Sequence, residues 1–287
     1  MKTIEQAITA ASRCLANVGV ENARAESEFL VAACLGVPRL RLVLDRKQLL
    51  SPPQVRTLRV WLREREKRKP LAYVAKEQPF RDLNLKVSPS VLVPRPETEL
   101  VVEQALRVMD QFPRPLTVID VGTGSGNIAL SLAMHSQAAF VIGVDCSKRA
   151  LKVAQANAAS LLRRAPVRWL HGDLLTPLNE TRPEAGLIVA NLPYIRTAEL
   201  RELDPELHWE PRIALDGGRD GLRLIARCVK QAPSMLRDGG VLLLEIGAAQ
   251  SKAVTELFAD DTVWEDVRMF RDFTGLPRIM QAHRTGK

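Results

Sequence analysis

The chain has 287 residues, 46% of them hydrophobic and 26% charged, which excludes a disordered or fibrous protein and leaves room for two domains. No apolar run approaches the roughly 18 residues of a membrane span, and the opening Met1-Lys-Thr-Ile-Glu-Gln6 has no signal-peptide core, so no membrane contact and a cytoplasmic location are expected. Lys and Arg number 41 against 33 Asp and Glu, a formal charge of +8, while the four Cys lack Cys-x-x-Cys spacing and the four His lack His-Glu-x-x-His spacing, which argues against disulfides and a metal.

Helical periodicity runs through residues 3–75, with Ile4, Ile8, Leu15, Phe29, Leu30 and Ala33 at apolar positions. Asn22 is a candidate N-cap for a helix over 23–35, which Gly36 and Pro38 stop. The basic stretch 56–69 reads equally well in two ways. One is a surface drawn to nucleic acid, which makes direct nucleic-acid binding an open possibility. The other is an amphipathic helix whose apolar face carries Leu58, Trp61 and Leu62. No catalytic constellation occurs here, so residues 1–78 are read as an all-helical domain that positions a substrate. Residues 79–287 form the second domain, in which 79–96 are a hairpin, turning near Asp82-Leu83-Asn84, and a proline-rich connector. Pro96 suits the first turn of a helix, where Glu97 and Glu99 are also favoured.

From Leu116 onward strands and helices alternate, the pattern of an open α/β sheet. The buried strand Leu116-Thr-Val-Ile-Asp-Val121 runs into Gly122-Thr123-Gly124-Ser125-Gly126 and then a helix over 127–135. Alternate glycines let the backbone turn tightly and approach a ligand. The spacing differs from the dinucleotide Gly-x-Gly-x-x-Gly, so nicotinamide or flavin is the weaker reading. A second strand over 139–144 ends at Asp145, a carboxylate suited to the two ribose hydroxyls of an adenosine, although an N-cap of the next helix explains the same residue. Asp173 and Leu174 follow a third strand and suit an adenine amine and ring. The apolar run 186–190 ends in Asn191-Leu192-Pro193-Tyr194. Further strands are expected over 241–246, 263–270 and 278–282, the last two joined at Thr274-Gly275.

Asn191 to Tyr194 carry the most chemical information. A planar NH2 group is a poor nucleophile because its lone pair is delocalised, so a site that alkylates it must accept both N–H groups and aim the nitrogen. The Asn191 side-chain oxygen is one acceptor and the next backbone carbonyl the other. Pro193 fixes its own φ and extends Leu192, and Tyr194 can offer a ring face. An ordinary strand exit also uses Asn and Pro.

Taken in order, Val91-Leu-Val-Pro-Arg-Pro-Glu-Thr-Glu99, Asp120-Val-Gly-Thr-Gly-Ser-Gly126, Gly172-Asp173, Asn191-Leu-Pro-Tyr194, Glu210-Pro211, Asp216-Gly-Gly-Arg-Asp-Gly221 and Leu244-Glu-Ile-Gly247 resemble the HemK/PrmC family. These are protein-glutamine N5-methyltransferases that modify the Gly-Gly-Gln tripeptide of class-I peptide chain release factors. The resemblance spans nearly the whole chain. It implies an α/β, Rossmann-like, seven-stranded S-adenosylmethionine-dependent methyltransferase domain behind a small N-terminal all-helical domain. It implies cofactor contacts from Gly122, Thr123, Gly124, Ser125, Gly126, Asp145, Asp173, Leu174 and Asn191, with Asn191, Leu192, Pro193 and Tyr194 holding the glutamine amide. Arg95, Glu97 and Thr98 are expected to shape that pocket. A class-I release factor is the implied partner, and the chain is expected to be a monomer without metal. Two departures stand out: Leu192 replaces a family proline, and Tyr73-Val-Ala-Lys-Glu-Gln-Pro-Phe80 lacks the family glycine near Ala75 or Lys76. The rivals are an adenine-N6 methyltransferase of DNA or RNA, a glutamine methyltransferase of a ribosomal protein, and a non-catalytic adaptor.

Overall fold

The computed structural model describes residues 2–135, 139–161, 167–259 and 262–286. The chain forms two compact units, residues 1–77 with 204–209, and residues 78–203 with 210–287.

In the first unit, α1 (Ile4–Asn17) and α4 (Pro52–Glu66) both begin with capping boxes. The Thr3 hydroxyl accepts the Gln6 N–H while Gln6 Oε1 accepts the Thr3 N–H, and Ser51 and Gln54 repeat the exchange. Each box satisfies backbone donors that a helix start otherwise leaves unpaired. Between them lie α2 (Ala23–Leu35), which ends on left-handed Gly36, and α3 (Arg39–Leu44). Asn22 occupies the N-cap position of α2 but its side chain makes no capping bond. Ile4, Ile8, Leu15, Leu30 and Leu58 share one core.

Residues 56–66 of the basic stretch lie in α4 and 67–69 follow its end; Leu58 is buried, Trp61 and Leu62 pack against the core, and much of the charge is paired within the unit. Arg65, its side chain only 4% exposed, holds Glu26 and Glu206, and Arg68 reaches the same Glu206. Lys67 and Lys69 bond Glu64. These pairs also explain why one boundary near residue 78 is too simple. Glu206 fastens residues 204–209 to the helical unit, although the sequence places that segment inside the second domain.

The helical unit closes with α5 (Leu71–Ala75), whose C-cap Lys76 sits at φ 64. This left-handed conformation costs an L-residue about 1–2 kcal/mol, and a glycine costs about 0.5–1 kcal/mol elsewhere through lost freedom. The missing family glycine is therefore a site of strain. Lys76→Gly should raise stability by up to about 1 kcal/mol. A denaturant midpoint that stays unchanged or falls refutes this.

The second unit starts with a hairpin of β1 (Glu77–Phe80) and β2 (Leu83–Lys86), which turns at Arg81-Asp82. Leu83 and Asn84, expected in the turn, belong to β2 because Leu83 and Leu85 alternate inward to the core. Next comes α6 (Pro96–Met109), with Pro96 in its first turn. The main sheet contains β3 (Leu116–Val121), β4 (Ala139–Asp145), β5 (Val167–His171), β6 (Ala185–Asn191), β7 (Leu236–Glu245), β8 (Trp264–Arg271) and β9 (Pro277–Arg284). Their order is β5-β4-β3-β6-β7-β9-β8, parallel except for β9, which runs antiparallel to both its neighbours.

The helices α7 (Asn127–His135), α8 (Lys148–Leu161), α9 (Arg223–Gln231) and α10 (Ser251–Ala259) complete the crossovers. Because side chains alternate along a strand, each buried run serves both faces. Ile119, Ile188 and Leu242 join one core with Ile225 of α9 and Val254 of α10. Val118, Leu187 and Val241 join the other with Val101 of α6 and Ile128 of α7. Every parallel strand thus points its carboxyl end to one edge, where ligands bind in such sheets. Among the described residues no helix is long and apolar enough to cross a membrane.

Candidate active site

Strand register brings the motifs together. Val121 lies beside Val144 and Ala190, Asp145 beside His171, and Asn191 beside Glu245, so the ends of five strands form one rim. A cavity of about 680 Å³ opens there, lined among others by Gly122, Thr123, Gly124, Ser125, Asp145, Asp173, Leu174, Asn191, Leu192 and Pro193. Three expected residues lie outside the lining, and one of them, Glu97, is exposed in the first turn of α6. Gly126 faces the core, where an added Cβ would stand 3.1 Å from the Trp169 ring and 3.2 Å from Leu130. The Tyr194 ring packs against the core beside Gly247, and burial raises its hydroxyl pKa.

The glycine loop is held by its neighbours. Gly122 and Thr123 donate to the Val144 carbonyl at 2.9 and 3.0 Å. Gly124, at φ 55, donates to Asp145 Oδ2 at 2.9 Å, and an added Cβ would meet nothing closer than the Gly122 carbonyl at 3.9 Å. Gly124 is needed for its backbone conformation and leaves open space on the cavity side. Beneath the loop, Asp120 accepts from Thr123 Oγ1 at 2.6 Å and from the Ala129 N–H at 3.1 Å. Burial pushes the Asp120 carboxyl up to about 7, against the pull of those donors.

Asp145 has a competing explanation as a helix cap. Ser147 fills that role: its hydroxyl accepts the Ala150 N–H and its carbonyl the Leu151 N–H. Asp145 instead uses Oδ1 for the Ser147 N–H at 2.8 Å and Oδ2 for Gly124, at the lip of the cavity. Burial raises its pKa, so it gains from further donors to its charged form. Asp173 is half exposed and paired with Arg227 of α9, a cation that periodicity alone did not mark. Leu174, at φ 50, turns its buried side chain into the wall.

Asn191 is oriented by a chain of hydrogen bonds. Its Nδ2 donates to Thr98 Oγ1 at 3.0 Å, and that hydroxyl donates to Glu245 Oε2 at 2.6 Å. Glu245 is buried, which pushes its carboxyl up to about 7 although Thr98, Arg278 and Asn191 pull it down. An acceptor at the end of the chain forces the Asn191 NH2 inward and leaves Oδ1 on the cavity side. Leu192, 4% exposed, sits under the glycine loop, its Cδ2 3.2 Å from where a Gly122 Cβ would be.

The Asp216-Gly-Gly-Arg-Asp-Gly221 segment buttresses this loop. The Ile195 N–H donates to the Leu215 carbonyl and the Gly217 N–H to the Ile195 carbonyl. A Cβ on Gly221 would lie 2.3 Å from the Tyr194 carbonyl, so only glycine allows the approach. Gln250 Nε2 donates to that carbonyl at 2.9 Å. On the opposite wall, buried Glu210 accepts the Val93 N–H at 3.0 Å and pairs with Arg95, which joins the two segments at the rim. Glu210 and Glu245 carry no local mark of a site role, because only the fold supplies their partners.

The cavity fits S-adenosylmethionine. It has a glycine loop without side-chain obstruction at Gly124 and a carboxylate with spare acceptor capacity in Asp145. Ser125 Oγ is buried in the lining and has no partner among the described residues, so a polar ligand atom would satisfy it.

Residues 6–75 match the PrmC N-terminal domain, and residues 118–208 match a methyltransferase domain. The release factor glutamine methyltransferase of Geobacter sulfurreducens is 42% identical over 267 residues, covering 93% of this chain and 91% of its own. That of Moorella thermoacetica is 40% identical over 282 residues, covering 98% and 99%. Among solved structures, a methyltransferase from Pyrococcus furiosus superposes with a TM-score of 0.50 at 15% identity, over 75% of this chain and 94% of that one, a likeness of fold alone. Identity of this order along nearly the full length of both curated relatives shows that the chain belongs to the release factor glutamine methyltransferase family.

Proposed function

We propose that this protein methylates the side-chain amide nitrogen (N5) of the glutamine in the Gly-Gly-Gln motif of class-I peptide chain release factors, in the cytoplasm. The observation that carries the reading is the polarity of Asn191. Its NH2 is consumed by Thr98, so an acceptor oxygen is what it offers to the cavity.

S-adenosylmethionine, when bound, supplies an electrophilic methyl group on a sulfonium. Asp145 would accept its ribose hydroxyls, the backbone of residues 122–125 would lie along it, and Asp173 and Leu174 would meet the adenine. Asn191 Oδ1 accepts one N–H of the glutamine amide and the Leu192 carbonyl accepts the other. Pro193 fixes the direction of that carbonyl. Holding both N–H groups localises the nitrogen lone pair and aims it, and alignment of this kind is worth roughly 7–11 kcal/mol of barrier. Leu192, Ile128 and Val91 give the cavity an apolar wall. No strong base is needed, because a nitrogen that has just gained a methyl group is cationic and sheds its proton readily.

Tritiated S-adenosylmethionine incubated with unmethylated release factor, with a Gly-Gly-Ala variant of it and with unmodified DNA tests the reading. Label is expected only on the intact release factor. Label on DNA instead would establish the adenine methyltransferase, and cofactor binding without turnover the adaptor.

Asp145→Asn should weaken S-adenosylmethionine binding by about 1–2 kcal/mol, since a charge-assisted acceptor becomes a neutral one. Titration calorimetry checks this, and an unchanged Kd would remove Asp145 from the cofactor site.

A further inference from the structure

Phe273 is 90% exposed, and Leu276 nearby is 48% exposed. A lone aromatic on a surface is ordinary and needs no explanation. Its mounting is not ordinary. The five residues 272–276 between β8 and β9 are closed on themselves: the Asp272 N–H donates to the Leu276 carbonyl at 2.8 Å and the Gly275 N–H to the Asp272 carbonyl at 2.9 Å. Asp272 Oδ1 accepts from the Thr274 N–H and hydroxyl and from the Leu276 N–H, at 3.0, 2.6 and 3.0 Å. Its Oδ2 accepts from Arg278, and Arg271 donates to the Gly275 carbonyl. These donors hold the Asp272 carboxyl at about 2. A turn tied this often fixes the backbone from which Phe273 projects, so little backbone freedom is lost when a partner covers it.

Strand register says where that place is. Asn191 pairs with Glu245, Glu245 pairs with Ile279, and the Ile246 N–H donates to the Arg278 carbonyl, so the chain that precedes Arg278 continues past the carboxyl ends of β6 and β7. The turn therefore rises from the rim that carries the amide-binding loop. Any protein that inserts a glutamine between Asn191 and the cofactor brings its own surface to this rim.

We infer that Phe273 is an anchor for the protein substrate, an aromatic knob on a fixed turn that enters an apolar recess on the release factor beside its Gly-Gly-Gln loop. This deepens the proposed function and rests on it. A contact outside the cavity binds ground state and transition state alike, so it acts on KM and leaves kcat alone.

The test compares whole unmethylated release factor with a short Gly-Gly-Gln peptide, for the native chain, Phe273→Ala and Phe273→Leu. Phe273→Ala should raise KM for the whole factor on the order of tenfold, as loss of an interface anchor does, with kcat, the peptide KM and the S-adenosylmethionine Kd unchanged. Phe273→Leu, which keeps an apolar knob, should recover most of the loss. An unchanged KM for the whole factor in Phe273→Ala overturns the anchor, and so does an equal rise on the peptide, which would place Phe273 in the cavity. If the native chain methylates neither substrate, the substrate reading has failed and the anchor falls with it. A native chain active on the factor beside an unaffected Phe273→Ala removes the anchor alone.

Discussion

Asn191→Ala should lower kcat for release-factor methylation by 10²- to 10³-fold while the protein stays folded and still binds its cofactor. Asn191 is the last residue of β6, and its side chain is held by Thr98 at the rim, outside both sheet cores. Truncation therefore removes no core packing. What disappears is the acceptor that orients the amide and favours positive charge growing on its nitrogen, the counterpart of a lost oxyanion-hole donor, worth about 2.7–4 kcal/mol. The loss should fall on kcat more than on KM, because the second acceptor, a backbone carbonyl, survives. Single-turnover measurement with saturating cofactor checks this. Near-normal turnover in a folded Asn191→Ala would mean that the amide is held elsewhere.

Much of this site is legible in the sequence, for identifiable reasons. The buried strands β3 and β6 are largely apolar and end at glycine or asparagine, and α7 follows its glycine loop directly, so the strand ends and their ligand-facing residues can be placed from local pattern. Local pattern places Asp145 at a strand end but leaves a capping role open, which the fold gives to Ser147. Gly126 looks like the two glycines before it, and only the Trp169 ring behind it shows that it serves packing. Charge pairing is harder still, because Arg65 and Glu206 carry no local mark of each other. The same holds for the chain from Asn191 through Thr98 to Glu245. Its members come from β6, α6 and β7, which meet because of strand order.

That chain carries the second large effect. Thr98→Val keeps the shape of the side chain and deletes both its hydrogen bonds, leaving Asn191 Nδ2 without its acceptor and Glu245 without its nearest donor. The Asn191 amide is then free to turn its NH2 toward the substrate NH2, where two donors repel. A fall in kcat on the order of a hundredfold, or about 2.7 kcal/mol, is expected, with the cofactor Kd unchanged and Thr98→Ser close to the native rate.

The chain also predicts how the rate depends on pH. Thr98 donates to Glu245 while accepting from Asn191, so the arrangement that directs Asn191 Oδ1 at the cavity is the one with Glu245 ionised. Its carboxyl is raised to about 7 by burial, so kcat should rise through that pH from below, while folding stability moves the opposite way. An acid whose folded pKa lies above its unfolded value is stabilising when protonated, and that stability is lost as pH rises from the unfolded value, 4.5, to about 7. Asp120 is also raised to about 7, so the limb alone does not identify the group. Glu245→Gln separates them: it should flatten the acid limb of kcat, and an unaltered limb would assign the titration to Asp120 beneath the glycine loop. A Thr98→Val enzyme that turns over at the native rate would show that Asn191 needs no such guide.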